Sequence, residues 1–216
     1  MSVKKRPASV ATVIGDVVAS RSARDRPSLH GRLEELLAEA NERFRPEGAL
    51  RVTVGDEYQG SFDRVGVALQ AALWLQARLA PEVDIRHGLG WGPVQVLGEQ
   101  PRIEDGPGWW SAREAIDAIK AEAKGAGSRL VRTAYRTGQA DGPDPAALNA
   151  ALLCRDQLVG SLSDRSARLL SGLLDGRTQA ELAEQEGVSP SAVSQRVRSD
   201  GLAVVVAATR LLEDVR

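Results

Sequence analysis

The sequence predicts an α+β fold with a mostly antiparallel sheet in its first two thirds, followed by an all-α C-terminal third. Short β-branched runs alternate with segments of helical period, and neighbouring runs are separated by turn residues, as in hairpins, which require antiparallel strands. From residue 145 the apolar period is helical to the end. We therefore expect a sheet domain at 1–140, a linker and connecting helix at 141–162, and a helical domain at 163–216.

Strands are indicated by short runs rich in β-branched residues that end at Gly, Pro or Asp. The first ends at Gly15-Asp16. Gly55-Asp56 supplies the turn of one predicted hairpin, and the glycines around Gly90 supply the turn of a second. The predicted strands are Ser9–Ile14, Leu50–Val54, Tyr58–Phe62, Val83–Leu89, Val94–Leu97 and Arg129–Ala134.

Helices are indicated where apolar residues recur at three- and four-residue spacing. Ser28 is predicted to cap the first of them, and Pro46–Gly48 to end it. Residues 102–108 are predicted to form a loop, and residues 139–145 a turn-rich linker. The predicted helices before residue 163 are Ser28–Phe44, Val65–Leu79, Trp109–Lys124 and Pro145–Leu162.

The composition favours a cytoplasmic globular protein. With 216 residues, of which 43% are hydrophobic, the chain can bury a core, and its formal net charge of −1 gives the whole molecule no attraction to nucleic acid. One cysteine, Cys154, excludes an internal disulfide. No apolar run approaches the roughly 20 residues of a membrane span, so we expect no membrane partner.

The C-terminal third carries the local signals of a helix-turn-helix. After a leucine-rich helix at Ser166–Leu174, Thr178 and Glu181 have the spacing of a capping box at the start of a second helix. Gly187 is predicted to end that helix. Ser189 and Pro190 then suit the cap and first position of a third helix, to Ser199. A last helix is predicted at Leu202–Leu212.

The third helix is the candidate DNA-reading element, because small, hydrogen-bonding and guanidinium side chains suit base edges and phosphates. From residue 164 onward, however, seven arginines stand against eight acidic residues, which predicts weak binding by one copy. An alternative is a helix-turn-helix used for protein contact or dimerisation. The residues predicted to face DNA are Ser191, Ser194, Gln195, Arg196 and Arg198. The segment resembles region 4 of sigma factors.

A second constellation lies near the N-terminus, where an aspartate follows a glycine at two predicted strand ends. If the two strands are neighbours, Asp16 and Asp56 meet. Two close carboxylates repel, and a divalent cation such as Mg²⁺ relieves the repulsion while binding phosphate oxygens. Asp16 and Asp56 are therefore the predicted metal ligands. The alternative is structural: Asp16 caps a turn and Gly55-Asp56 is a hairpin turn.

Three runs carry a resemblance to a known family: Val13–Arg21, Val54–Gly60 and Arg86–Gly92. Together with the helix-turn-helix they resemble the SatD family over essentially the whole chain. The N-terminal part also resembles the palm domains of class III nucleotidyl cyclases and GGDEF diguanylate cyclases, in which two acidic residues hold two metal ions against a nucleoside triphosphate.

The cyclase resemblance implies a role for several residues. Asp16 and Asp56 match the two metal-binding acids, and the Val17 carbonyl is a further ligand by analogy. Gly15, Val17, Glu57 and Arg113 are the implied nucleotide-binding residues. The implied cofactor is Mg²⁺ or Mn²⁺ with a nucleotide. Such domains commonly pair, so a homodimer is expected.

Departures from the cyclase pattern argue against turnover. Trp109 replaces an asparagine, and no lysine near Val52 matches the base-selecting one. Arg113 fits a cyclase arginine or is a surface helix residue, and His87 is more typical of a core or edge histidine than of a catalyst. Three roles are open for the adjacent Trp109 and Trp110: stacking on a base, anchoring their helix to the sheet, or forming a dimer contact. We favour the anchoring role.

These observations favour a DNA-binding regulator whose palm senses a metal-bound nucleotide. One alternative is a metal-dependent nucleotidyl transferase or cyclase that uses the helix-turn-helix for assembly. The other is a non-catalytic scaffold on the transcription machinery.

Overall fold

The structure is a computed structural model that describes residues 8–18, 26–99, 102–122, 125 and 128–216. The strands are β1 (Ser9–Val17), β2 (Gly48–Val54), β3 (Glu57–Phe62), β4 (Ile85–Pro93), β5 (Gln95–Glu99), β6 (Arg102–Asp105) and β7 (Thr133–Thr137). The helices are α1 (Arg26–Phe44), α2 (Val65–Leu79), α3 (Pro107–Glu122), α4 (Pro145–Gly160), α5 (Asp164–Leu174), α6 (Gln179–Gln185), α7 (Pro190–Ser199) and α8 (Leu202–Leu212). The predicted end of the third helix, residues 123 and 124, lies outside the described residues.

Five strands form one sheet in the order β2-β3-β1-β4-β7. The pairs β2–β3, β3–β1 and β1–β4 are antiparallel, whereas β4 and β7 are parallel. The predicted mixed fold with a mostly antiparallel sheet is therefore confirmed.

Successive residues of the central strand β1 point to opposite faces of the sheet. Val13 and Val17 belong to the large core that includes buried residues of α1 and α2. Ile14 belongs to a smaller cluster with Trp109 and Ile116 of α3. The sheet thus lies between α1 and α2 on one face and α3 on the other, and a side chain of β1 reaches one helical layer or the other.

The prediction of a second hairpin, around Gly90, was wrong. Its glycines lie inside the continuous strand β4, and β5 pairs with β6 instead, in a separate two-stranded ribbon that includes most of the predicted loop 102–108. The reason is the close approach of α3. A side chain at Gly88 would overlap the backbone of Ala112, and one at Gly90 would overlap the backbone of Gly108. The glycines therefore serve helix–sheet packing rather than a turn.

Each edge strand of the large sheet is bonded by an asparagine from a neighbouring helix. On β2, the Leu50 N–H donates to Asn41 Oδ1 at 2.8 Å, and Asn41 Nδ2 donates to the Leu50 carbonyl at 2.9 Å. On β7, the Tyr135 N–H donates to Asn149 Oδ1 at 2.9 Å, and Asn149 Nδ2 donates to the Tyr135 carbonyl at 2.9 Å. Each amide thus bonds the backbone as a further strand would, and fixes α1 and α4 to the sheet.

The C-terminal segment consists of the helices α5–α8, which pack on one another and on α2. Leu73 of α2 is part of the core that contains Leu170, Leu182 and Val193. At the chain end, the Gly66 N–H donates to the Val215 carbonyl at 2.8 Å. The domain division at residue 163 remains a prediction. None of the helices that the structure describes has the length and apolarity needed to cross a bilayer.

Candidate functional site

The two predicted acidic strand ends are neighbours in the sheet. Asp16 of β1 pairs in register with Glu57 of β3, and Asp56 precedes Glu57 in the turn from β2. This adjacency follows from the antiparallel pairing of β1 with β3. The side chains around these strand ends nevertheless divide between the two faces of the sheet.

On the α3 face, two acidic side chains are neutralised by three basic ones. Asp16 Oδ2 lies 3.3 Å from Lys120 Nζ and 3.6 Å from Arg86 Nη1. Glu57 accepts two hydrogen bonds from Arg113, at 2.6 and 2.8 Å. The bond to Glu57 raises the pKa of the Arg113 guanidinium. We call Asp16, Glu57, Arg86, Arg113 and Lys120 the charged cluster.

On the α1 face lies a separate cavity of about 330 Å³ beside the start of α1. We call it the Asp56 cavity. Its polar lining includes Asp56, Arg26 and His30, and Val17 and Leu33 contribute to the apolar lining. The cavity thus combines one carboxylate and two basic side chains with a mostly apolar lining.

Asp16 and Asp56, the two predicted metal ligands, therefore have different neighbours. Asp16 turns to the bases of α3 and β4, whereas Asp56 and Val17 line the cavity beside α1. Across the described residues, no three His, Cys, Asp or Glu side chains form a group that could hold a metal. As arranged here the side chains do not form a metal centre, because Asp16 would first have to exchange its basic partners for a cation.

Gly15 has a packing role. A side chain there would overlap the ring of Tyr58, which lies across β1. The Tyr58 hydroxyl is thereby placed 2.6 Å from His87 Nε2 on β4. Both rings are fully buried, and burial raises the pKa of the Tyr58 phenol. The interpretation of His87 as a core residue is confirmed.

His87 is held neutral by its surroundings. Burial, with a smaller contribution from the positive charge of Arg155, lowers the pKa of the imidazole to about 3. Within the described chain the buried Nδ1 has no hydrogen-bond partner. A proton on this ring would be buried close to a cation, so the ring is unsuited to exchange protons near neutral pH.

Beside His87, a buried ion pair joins α4 to the start of β7. Asp156 Oδ1 lies 3.0 Å from Arg155 Nη2, and Asp156 Oδ2 accepts from the backbone N–H groups of Arg132 and Thr133 at 2.7 and 2.6 Å. Arg155 Nη2 also donates to Thr133 Oγ1 at 2.6 Å. The pair fixes the connecting helix to the sheet.

The two adjacent tryptophans of α3 have different surroundings. Trp109 is buried against the sheet with Ile14 and Ile116, which agrees with the predicted anchoring of this helix to the sheet. Trp110 is 56% exposed, and its Nε1 donates to Asp105 Oδ1 at 2.8 Å.

In the C-terminal segment, α6 and α7 are joined by residues 186–189, and α7 packs on α5, α6 and α8. Val193 and Val197 of α7 are buried. The predicted DNA-facing residues divide by exposure into two groups. Exposed are Ser191, Gln195 and Arg198, and half-buried are Ser194 and Arg196.

Several acidic residues of this segment are bonded within it. Glu186 accepts two bonds of 2.8 Å from Arg168, and these lower its pKa. Glu181 accepts from the Thr178 N–H at 2.7 Å in the predicted capping box, which is confirmed. Asp200 accepts from Ser166 Oγ at 2.6 Å, which is the main cause of its lowered pKa.

The sequence model of the SatD family matches residues 10–214. The chain belongs to the SatD family. No curated protein matches it.

Among solved structures, the SatD-family chain is similar to several nucleotidyl cyclases. The monomeric guanylyl cyclase domain of the RhoGC fusion protein from Blastocladiella emersonii is 20% identical, with a TM-score of 0.44 over 52% of this chain and 77% of that one. A bacterial light-regulated adenylyl cyclase is 14% identical, with a TM-score of 0.46 over 62% of this chain and 45% of that one. The adenylyl cyclase CyaB from P. aeruginosa is 12% identical, with a TM-score of 0.39 over 49% and 70%.

Sequence reasoning missed two members of the charged cluster in this SatD-family chain. Arg86 is the register partner of Asp16 across β1 and β4. Lys120 lies seven residues after Arg113, two turns along the same face of α3. The seven-residue spacing was a usable signal, whereas the register of β4 was hidden by its assignment to a hairpin.

Proposed function

We propose that this SatD-family protein is a DNA-binding regulator in which α7 contacts base edges and phosphates. The observation that supports this most directly is the exposed face of α7. Ser191, Gln195 and Arg198 lie on it, while Val193 and Val197 anchor the opposite face. A helix held by its apolar face against α5, α6 and α8, with polar side chains outward, suits insertion into a major groove.

The internal bonding of the acids supports the same proposal. Glu181, Glu186 and Asp200 are each bonded to a neighbour, so their charges are partly offset within the segment. Arg196 lies 3.8 Å from Asp200, whereas Arg198 has no ion pair in the part of the chain described. Arg198 is therefore the base of α7 best placed to meet a phosphate or a guanine.

We predict that Arg198→Ala weakens DNA binding roughly tenfold, because a base or phosphate contact of an arginine contributes about 1–3 kcal/mol. The measurement is a gel shift against genomic fragments, followed by fluorescence anisotropy on a fragment that binds. Glu184→Ala, an exposed change on α6, is the control and should not weaken binding. If no fragment shifts, or if both variants bind like the wild type, α7 is not the DNA contact.

A second function is suggested by the charged cluster. Arg86, Arg113 and Lys120 converge on two carboxylates at one end of the sheet, beside the turn that bears Asp56. Bases that neutralise acids in the free protein can turn to the phosphates of a ligand. We propose that the palm binds a nucleoside triphosphate with Mg²⁺ or Mn²⁺ at these strand ends, and that binding regulates the DNA-binding helices.

Binding at the palm predicts a rise in Tm when Mn²⁺ and a nucleoside triphosphate are added together, because a ligand that binds the native state alone stabilises it. Lys120→Met should reduce the rise, because Lys120 is one of the bases proposed to bind the phosphates, and Asp63→Asn, an exposed control, should leave it unchanged. The measurement is a thermal melt with each of the four nucleotides. Unchanged melting with all four would contradict nucleotide binding.

We expect little catalytic conversion of ATP or GTP. Trp109 stands at the position of a cyclase asparagine and is buried against the sheet. Mass spectrometry after incubation with ATP or GTP and Mn²⁺ tests this. A cyclic or linear dinucleotide product in quantity would favour the cyclase or transferase alternative. Binding to RNA polymerase without binding to DNA would favour the scaffold alternative.

A further inference from the structure

We propose that α1 couples the Asp56 cavity to the position of α6 and α7, a regulatory role that rests on the proposed DNA-binding function. The helix has 19 residues and is therefore about 28 Å long. Its first turns border the cavity, where Arg26 and His30 contribute to the lining. Its last turn reaches the C-terminal segment.

At that far end, the helix contacts the C-terminus of α5. Arg43 Nη2 donates to the Leu174 carbonyl at 2.7 Å, and Arg43 Nη1 lies 3.8 Å from Asp175 Oδ1. Trp74 Nε1 donates to Asp175 Oδ1 at 2.7 Å, and Arg78 Nη1 donates to Asp175 Oδ2 at 3.1 Å. We call these five residues the Asp175 clasp.

The charges of the clasp suit its position. The carbonyl end of a helix carries partial negative charge, so the Arg43 guanidinium is favoured there. The guanidinium groups of Arg43 and Arg78 also lie 5.9 and 5.0 Å from the Trp74 ring centroid. Asp175 is 16% exposed at its side chain. The clasp therefore places cationic groups around a mostly buried carboxylate.

The clasp is also close to the candidate DNA-reading helices. Asp175 is the C-cap of α5, and Thr178, three residues later, is the N-cap of α6. A displacement of α1 moves Arg43, and Arg43 contacts Leu174 and Asp175 at the end of α5. The connection from α5 to α6 therefore moves as well, and with it the position of α6 and α7. Occupation of the cavity at the other end of α1 is the event that displaces the helix.

The path between the two ends is continuous and packed. The buried residues of α1 are Leu33, Leu36, Leu37 and Ala40. A helix held along one face moves as a body rather than bending at a point, because packed interiors respond by discrete shifts. The Arg78 side chain also bonds Glu39 at 2.9 Å, so α1 and α2 act on the clasp together.

The test measures a distance between spin labels in the full chain, without DNA. One label is placed on the natural Cys154, which is exposed on α4, and the other on α7 through Arg198→Cys. His30→Trp enlarges a side chain that lines the cavity, and Arg43→Met removes the charge of the clasp at α1. Both positions are exposed, with side chains 47% and 42% accessible, so the fold should tolerate both changes.

We expect His30→Trp to shift the mean distance by about 1–2 Å, the usual size of a helix shift, and Arg43→Met to abolish that shift. If His30→Trp has no effect, or the same effect with and without Arg43→Met, the coupling is refuted. Arg43→Lys keeps the charge and should preserve part of the shift. If Arg43→Met does not fold, Arg43→Lys takes its place in the comparison. The distance is measured without DNA, so it does not depend on DNA binding. A negative gel shift would overturn the proposed function and would leave the measured coupling between α1 and α7 unaffected.

Discussion

Replacing Asp156 by alanine is expected to lower the free energy of unfolding by about 3–5 kcal/mol, the cost of removing one partner from a buried ion pair. The change leaves Arg155, 4% exposed, without its carboxylate. It also removes the acceptor of the backbone N–H groups of Arg132 and Thr133 at the start of β7. Urea denaturation at neutral pH measures the loss.

Gln157→Ala is the matched control, because Gln157 is the next residue of α4 and is exposed. Such a surface change is expected to alter stability by no more than about 0.5 kcal/mol. A loss below about 1 kcal/mol for Asp156→Ala would mean that the ion pair and its backbone bonds do not fix α4 to the sheet.

Stability should also fall between pH 7 and pH 5 by about 2 kcal/mol because of His87. The folded pKa of about 3 lies below the ordinary value of 6.5, so the unfolded chain takes up the proton first as the pH falls. This contribution is fully present above pH 6.5 and is lost as the pH drops towards 3. Urea denaturation at several pH values gives the slope.

Replacing the buried ring tests this assignment. His87→Gln should flatten the pH dependence between pH 5 and 7 relative to the wild type. The slope, rather than the absolute stability, is the quantity to compare, since His87→Gln also disturbs the bond to Tyr58. An equal slope for the variant and the wild type would show that His87 is protonated in the native state as readily as in the unfolded one.

The helices could be predicted from the sequence to within a few residues because their signals are local. The bounds of α2 and α8 coincide with the predicted Val65–Leu79 and Leu202–Leu212. The predicted caps Thr178 and Ser189 each accept the expected backbone hydrogen bond. A capping residue and an apolar stripe act over one or two turns, so neighbouring residues are sufficient to recognise them.

The strands after α2 were predicted less well because long-range packing determines them. Gly88 and Gly90 satisfy a turn pattern locally, and only the approach of α3 explains their place inside β4. Likewise, the Gly-Asp pattern predicted that Asp16 and Asp56 belong to adjacent strands. It could not predict that Lys120 and Arg86 would be the partners of Asp16.

The asparagine contacts at Leu50 and Tyr135 have a consequence for how two molecules can associate. An unpaired strand edge offers its N–H and C=O groups to any other extended chain, which permits aggregation or assembly by strand addition. Here Asn41 and Asn149 already bond those groups at one residue of each edge. A second copy is thereby discouraged from continuing the sheet at either end. A homodimer of this protein is therefore expected to form through helices, loops or the β5–β6 ribbon, which keeps the two five-stranded sheets separate.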